Sequence, residues 1–211
     1  MSDKGFSIQG LLGTLFREIL NSLLSKKAEN DISRAATTGS DIKPLGVKVV
    51  ELGSGHSVQN DREKRRAQLR LEIEASLKFP GHQPQDGKTY CNFHTRRVAA
   101  KMGANLPQMM ANELHDYLEK NWRKDTGARA QAHAEKGGLA IASKKYPVHG
   151  HLAPIFPTGS MAFSGSWGKL VPYVGNVGKT VGVMSTSHAF PVKDSSGNPL
   201  PEPEYFLWGD V

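Results

Sequence analysis

The stretch TYCNFHTRRVAAKMG, residues Thr89–Gly103, holds the only cysteine of a 211-residue chain. Its apolar spacing predicts a helix beginning at or near Cys91, because Val98 and Met102 lie one turn apart and Gly103 stands at the expected C-terminal cap. The free N–H groups and the dipole of a helix N-terminus favour an anion and lower the pKa of a thiol. The position therefore predicts a nucleophilic thiolate, and a small buried hydrophobic residue is the alternative.

The composition describes a chain that can bury a core of ordinary size. It has a mass of 23.0 kDa, 38% hydrophobic residues and a mean hydropathy of −0.44, which indicates one domain with at most an appendage. Its 22 glycines and 12 prolines predict many turns and argue against a helical bundle. A single cysteine excludes an internal disulfide framework and a cysteine-based zinc cluster.

The charge points to an anionic partner. Lysine and arginine number 27 against 20 aspartate and glutamate residues, a net charge of +7. Nucleic acid, anionic lipid and an acidic polymer such as a bacterial cell wall all fit this charge. The first residues, MSDKGFSIQG, lack the pattern of a signal peptide, and we expect no membrane-spanning segment.

The chain divides into residues 1–44 and a larger domain over residues 45–211. In the first part, Phe6–Leu24 carries a broad apolar stripe at helical spacing, and a polar linker follows. This stripe predicts either packing onto the larger domain or an interface with a partner protein, a second copy or a membrane surface. Residues 45–52 predict a short strand, and Asp61–Leu77 predicts a charged helix whose solvated face is favoured over a basic binding patch.

The rest of the larger domain changes from helical to strand-like patterns. Residues 106–124 predict a helix, and Gln131–Lys136 predicts a shorter one. From Gly137 onward, short apolar segments alternate with turns, and the segments GGLAIASKK, VHGHLAPIFP, SWGKLVPYVG, KTVGVMS, HAFPV and EYFLWGDV predict strands. Helices followed by strands predict an α+β fold.

A nucleophilic cysteine needs a base held by a different element, and the chain offers eight histidines. His94 lies on the cysteine's own helix, where it can add positive potential but is badly aimed to take the proton. His115 is predicted to lie on the surface. His149 and His151, in the sequence HGH, precede an apolar strand, and His151 begins it. The two also form a conceivable metal pair, but without a second cluster of ligands we predict no metal and no cofactor.

The region Lys88–Val211 resembles papain-like bacterial cell-wall cysteine hydrolases of the NlpC and CHAP types. The resemblance rests on four segments in this order: YCNFHTRRV, ANELHDYL, GGLAIASKK and GHLAPIFP. The resemblance implies N-terminal helices, with the nucleophile at a helix start, packed on a small antiparallel sheet. It also implies Cys91 as nucleophile and His151 as base. The third residue of the family is a polar group on the next strand, and Asn176 in VGNVG is the candidate.

The implied activity is hydrolysis of a peptidoglycan amide bond, in the stem peptide or at its junction with the sugar. The backbone N–H of Cys91, and a side chain such as that of Tyr90, are expected to stabilise the oxyanion. A protein of this kind without a signal peptide is expected to reach the wall by phage lysis or a secretion system. The alternatives are a basic binding or assembly module and a cysteine transferase or deamidase toxin. Dispersed basic residues without a nucleic-acid motif predict no nucleic-acid partner.

Overall fold

The computed structural model describes residues 54–211. Its helices within this range are α1 (Ser54–Leu77), a 3₁₀ turn (Pro80–His82), α2 (Cys91–Lys101), α3 (Ala111–Asn121), α4 (Gly127–Glu135) and α5 (Thr186–Ala189). Its strands are β1 (Arg123–Asp125), β2 (Leu139–Lys144), β3 (His151–Pro154), β4 (Ala162–Ser164), β5 (Lys169–Val171), β6 (Tyr173–Val177), β7 (Val181–Ser185) and β8 (Glu204–Trp208). Helices therefore dominate the first half of this range and strands the second.

The strands form small antiparallel sheets. The largest has four strands in the order β1-β8-β2-β3, so the last strand of the chain lies between β1 and β2. Strands β4 and β5 form one separate pair, and β6 and β7 form another. An antiparallel bridge between Ile155 and Val174 joins the continuation of β3 to β6. This bridge brings β6 beside the strand that begins at His151.

Helix α1 shows how few apolar residues anchor a charged helix. Leu69, Ile73 and Ser76 are fully buried and recur at intervals of four and three residues, which places them on one face. Leu71 lies between them on another face and is 65% exposed. Helix α1 packs against α2 and β6, so this narrow face connects the cysteine helix to the strand that carries Asn176.

The core lies between the helices and the four-stranded sheet. Helix α2 packs on β3, and α4 packs on β2 and β8. The largest fully buried apolar side chains come from most of these elements: Leu69, Ile73, Val98, Leu114, Leu118, Leu139, Ile141, Leu152, Ile155, Phe190 and Phe206. Burial of such side chains is the main favourable contribution to folding.

The predicted α+β class is confirmed, while several local predictions are wrong. The helix predicted over residues 106–124 spans only Ala111–Asn121, because Arg123–Asp125 pairs with β8. The segment HAFPV begins inside α5 and is not a strand. His115 is not on the surface: it is buried, and its Nδ1 is 3.0 Å from Ser143 Oγ.

Two sequence predictions, the helix over Phe6–Leu24 and the strand over residues 45–52, lie outside the described residues. Within residues 54–211, no helix combines the length and apolar character needed to cross a membrane.

The narrow buried face of α1 predicts a sharp contrast between neighbouring positions. Ile73→Ala should lower the free energy of unfolding by about 2–5 kcal/mol, because it empties a fully buried site. Leu71→Ala, on the same helix, should change it by no more than about 0.5 kcal/mol. Chemical denaturation followed by circular dichroism measures both, and equal losses would contradict the assigned helix face.

Candidate active site

Cys91 is the first residue of α2, as its sequence context predicts. Tyr90 caps the helix in a non-helical conformation, with φ −121° and ψ 37°. The buried face of α2 consists of Cys91, His94, Thr95, Val98 and Ala99, and the cysteine side chain is 4% exposed. The helix therefore fixes the thiol at its N-terminus while its apolar face anchors it to the core.

Burial raises the pKa of the Cys91 thiol, although the helix start favours an anion. Hydrogen bonds from the backbone N–H groups of Leu152, Asn92 and Cys91 itself oppose this rise without cancelling it. The sequence-based expectation of a lowered pKa is wrong, because desolvation outweighs the helix dipole at a site this enclosed. The resting thiol is neutral at pH 7.

His151 is brought to the cysteine by the packing of β3 on α2. It is the first residue of β3 and faces Lys144 across the antiparallel pair with β2. Helix α2, which begins with Cys91, packs on this strand, and the backbone of Leu152, the next residue, acts to lower the pKa of the thiol. Cys91 and His151 thus come from two different elements of the core, as the base of a nucleophile requires.

Asn176 fixes the protonation pattern of the imidazole. Its Nδ2 donates to the Thr180 carbonyl at 2.6 Å, so Oδ1 is the atom that faces His151, at 2.7 Å from Nε2. An amide oxygen can only accept, so Nε2 of His151 carries the hydrogen. The neutral ring therefore presents an unprotonated Nδ1, the form that a general base needs.

An aromatic contact and burial complete the surroundings of the imidazole. The Phe190 ring meets the His151 ring edge-on at 4.8 Å between centroids. Burial lowers the pKa of His151, and the hydrogen bond with Asn176 acts in the opposite direction. The net lowering keeps His151 neutral near pH 7. Burial therefore favours the neutral forms of both the Cys91 thiol and the His151 imidazole.

An open cavity of about 360 Å³ leads to the sulfur. Its walls, which define the Cys91 cavity, are Gly87–Phe93, Met110–Asn112 and Val148–Gly150. The volume lies within the range of about 300–1,000 Å³ that is common for ligand sites. Its apolar residues Phe93, Met110 and Val148 are exposed, so the walls offer apolar surface beside a nucleophile.

Asn112 shapes this cavity, and the sequence reasoning did not identify it. Its Nδ2 donates to the Tyr146 carbonyl at 2.9 Å, and its Oδ1 accepts from the Tyr146 backbone N–H at 3.3 Å. The side chain thereby binds the loop before β3 as a neighbouring peptide group would. A Cβ on Gly150 would lie 2.5 Å from Asn112 Oδ1, so the glycine permits this close approach. The residues before His151 are held against the start of α3.

Two other histidines, His94 and His149, lie on elements around Cys91. His94 is fully buried, and burial lowers its pKa to about 3, so it adds no positive potential near pH 7, contrary to the expectation from sequence. His149 is exposed on the rim of the Cys91 cavity. Among residues 54–211, no three His, Cys, Asp or Glu side chains converge as metal ligands.

Comparison with known proteins gives one informative similarity. Over 69 residues the chain is 38% identical to a protein of Pseudomonas aeruginosa named peptidoglycan amidase Tse1. The match covers 32% of this chain and 45% of that protein, so it spans less than half the length of each. No protein-family model matches the chain.

The raised thiol pKa predicts slow alkylation at neutral pH. Because the thiolate is the reactive form, the rate of Cys91 modification by iodoacetamide should rise with a midpoint above pH 9, and should lie below that of N-acetylcysteine at pH 7. Cys91 is the only cysteine, so mass spectrometry of the intact protein measures this rate. A midpoint below pH 7 would show a resting ion pair of thiolate and imidazolium and contradict the neutral site.

Proposed function

We propose that this protein is a peptidoglycan amidase that uses Cys91 as its nucleophile. The observation that carries the proposal is a thiol at the start of α2, a helix that packs on the strand whose first residue, His151, is oriented by Asn176. The partial similarity to a protein named as a peptidoglycan amidase supports the substrate class. Together they favour hydrolysis of a cell-wall amide bond.

We further propose a papain-like catalytic domain of the NlpC or CHAP type. Its supporting features are the order of a cysteine helix followed by an antiparallel strand that begins with histidine, and a third polar residue on a neighbouring strand. The four-stranded antiparallel sheet with helix α2 packed on β3 is compatible with this architecture. In this proposal His151 is the base and Asn176 orients it.

The first chemical step transfers the thiol proton and forms a carbon–sulfur bond. His151 Nδ1 takes the proton from Cys91 as the sulfur attacks the carbonyl carbon of the scissile amide. Both groups are neutral at rest, so proton transfer accompanies the attack. The resulting oxyanion accepts a hydrogen bond from the backbone N–H of Cys91 at the start of α2. The Tyr90 hydroxyl, on a residue that lines the same cavity, is the proposed second donor.

The second half of the reaction returns the enzyme to its resting state. Collapse of the tetrahedral intermediate breaks the carbon–nitrogen bond, and the imidazolium of His151 gives its proton to the leaving amine. A thioester of Cys91 remains. His151 then removes a proton from water, which attacks the thioester and releases the carboxylate product and the thiol. Asn176 holds the imidazole in one tautomer through both proton transfers.

The substrate is proposed to bind along the Cys91 cavity. Its apolar walls suit the alkyl parts of a peptide, and Lys88 lies on the cavity surface where a substrate carboxylate can approach. The net charge of +7 favours association with an anionic wall polymer. The fragments that the protein releases from peptidoglycan identify the amide bond that is cleaved.

Substitution of the proposed catalytic residues should separate them by role. Cys91→Ser should abolish hydrolysis with the fold intact, and His151→Ala should lower kcat/KM by about 10²–10⁴-fold, the usual cost of losing a general base. Asn176→Ala should cost about tenfold to a hundredfold, because it orients the ring and transfers no proton. Mass spectrometry of fragments from purified peptidoglycan measures the products and their rates.

The matched control is His149→Ala, two positions from His151 and exposed. It should retain kcat within about threefold, since the residue lies on the cavity rim and is not bonded to Asn176.

An active Cys91→Ser variant would refute a cysteine mechanism. Transfer of an acyl group to an amine in place of water would assign a transferase on the same site.

Residues 1–44 are proposed to act separately from catalysis. The apolar stripe predicted in Phe6–Leu24 is broad enough to serve as an interface with a partner protein or a second copy. Deletion of residues 1–27 should therefore leave hydrolysis of isolated peptidoglycan unchanged within about threefold and alter the oligomeric state. Light scattering and the fragment assay test this, and an insoluble or inactive truncated protein would contradict separate roles.

A further inference from the structure

A buried chain of hydrogen bonds runs from helix α1 to the strand that carries Asn176. Ser76 on α1 and His94 on α2 are both fully buried. Ser76 Oγ lies 2.8 Å from His94 Nδ1, and His94 Nε2 lies 3.0 Å from the Gly175 carbonyl oxygen. His82 extends the chain at its other end, with Nδ1 2.9 Å from the Ser76 carbonyl and 3.1 Å from Ser76 Oγ.

The partners assign the direction of each bond. The Gly175 carbonyl can only accept, so His94 donates from Nε2 and its Nδ1 accepts from the Ser76 hydroxyl. His82 in turn donates from Nδ1 to the Ser76 carbonyl. His94 is therefore neutral, since one ring nitrogen donates and the other accepts. A buried network whose bonds have fixed directions is rigid.

The end point of this network is the peptide group before Asn176. The Gly175 carbonyl belongs to the same rigid peptide plane as the Asn176 nitrogen, so a bond to that oxygen limits rotation of the backbone that carries the Asn176 side chain. Asn176 Oδ1 then accepts from His151 at 2.7 Å. The position of the His151 ring thus depends on the bond from His94 to the Gly175 carbonyl, one residue before Asn176.

Gly175 itself is adapted to this contact. A Cβ at this position would overlap Cγ2 of Ile73 on α1 and would lie 3.4 Å from His94 Nε2. The lack of a side chain therefore lets both helices approach the backbone of β6. The close approach and the bond from His94 act on the same peptide group.

We propose that His94 is a positioning residue for the reaction: through its bond to the Gly175 carbonyl it holds Asn176, and through Asn176 the His151 ring, in the reactive orientation. This role rests on the proposed function of Cys91 and His151. His94 touches no reacting atom and transfers no proton. Ser76 acts one step further back, by holding His94 in the tautomer that donates to β6.

The test compares two buried histidines with the same bond. His133 also directs Nε2 to a backbone carbonyl, that of Trp208 at 3.1 Å. Trp208 pairs with Leu139 at the beginning of β2, whereas His151 pairs with Lys144 at its end. His133→Leu is therefore the matched control for His94→Leu, because each removes a buried donor from a backbone carbonyl, and the carbonyl of Trp208 lies at the end of the sheet away from His151.

Two readouts follow each variant. One is kcat with peptidoglycan as substrate, and the other is the proton NMR signal of the His151 Nε2–H, assigned by its absence from His151→Ala. His94→Leu should lower kcat by about tenfold to a hundredfold and broaden or remove this signal. His94→Gln keeps an amide donor for Gly175 and an acceptor for Ser76, so it should restore kcat to within about threefold of the wild type and restore the signal. His133→Leu should leave both unchanged, whatever it does to the melting temperature.

A folded His94→Leu variant with wild-type kcat and an intact signal would overturn the proposal, as would equal losses in His133→Leu. If His94→Leu does not fold, Ser76→Ala tests the same chain, with a weaker or absent His151 signal as the expected result and an unchanged signal as the refuting one. The NMR readout does not require activity. A wild-type protein that leaves peptidoglycan intact but shows the predicted signals would refute the proposed function and retain the positioning role of His94.

Discussion

The packing of helix α2 on strand β3 is the constraint on which the candidate site depends. It brings the helix that begins with Cys91 to the strand that begins with His151, and both elements are anchored by fully buried side chains such as Val98 and Leu152. Neither element alone carries both Cys91 and His151. The packing of α2 on β3 brings the two elements together, and the register of β2 and β3 places His151 at the start of its strand.

Several histidines in this protein act as neutral internal hydrogen-bonding groups. His82, His94, His115 and His133 are buried, and burial is the largest influence lowering the pKa of each. His94, His115 and His133 join elements that are distant in sequence, as when His94 on α2 bonds both Ser76 on α1 and Gly175 on β6. A neutral imidazole is suited to this task since it donates and accepts at opposite sides of a rigid ring. His151 has the same ring chemistry, with Nε2 bonded to Asn176, and its proposed role is proton transfer.

The sequence was most informative where structure is local. The start of α2 at Cys91 and the strand beginning at His151 follow from apolar spacing and short-range signals, so both could be predicted. The length of α3 could not, since Arg123–Asp125 leaves the helical pattern only because β8, which comes last in the chain, supplies a strand partner. The raised thiol pKa was missed for a related reason: the degree of burial depends on how β3 covers the cysteine. The roles of Cys91, His151 and Asn176 remain predictions.

His94 and Asn112 show which features of the site could not be predicted from the sequence. His94 shares a helix face with Cys91 and Val98, a spacing that indicates burial, yet its partners Ser76 and Gly175 lie 18 and 81 residues away. The helix predicted over residues 106–124 places Asn112 in its interior, and nothing in the sequence indicates a contact between this side chain and the Tyr146 peptide group. Contacts of this kind are set by tertiary packing and not by periodicity.

The enclosure of Cys91 has a consequence for chemical inhibition. A thiol that is 4% exposed and neutral at pH 7 gives a freely diffusing electrophile or oxidant little thiolate to attack. The cavity of about 360 Å³ above the sulfur nevertheless accommodates a small molecule. An electrophile that first binds the apolar walls gains a high local concentration beside Cys91. Selectivity for Cys91 then depends more on the fit of the molecule to the cavity than on the intrinsic reactivity of its electrophilic group.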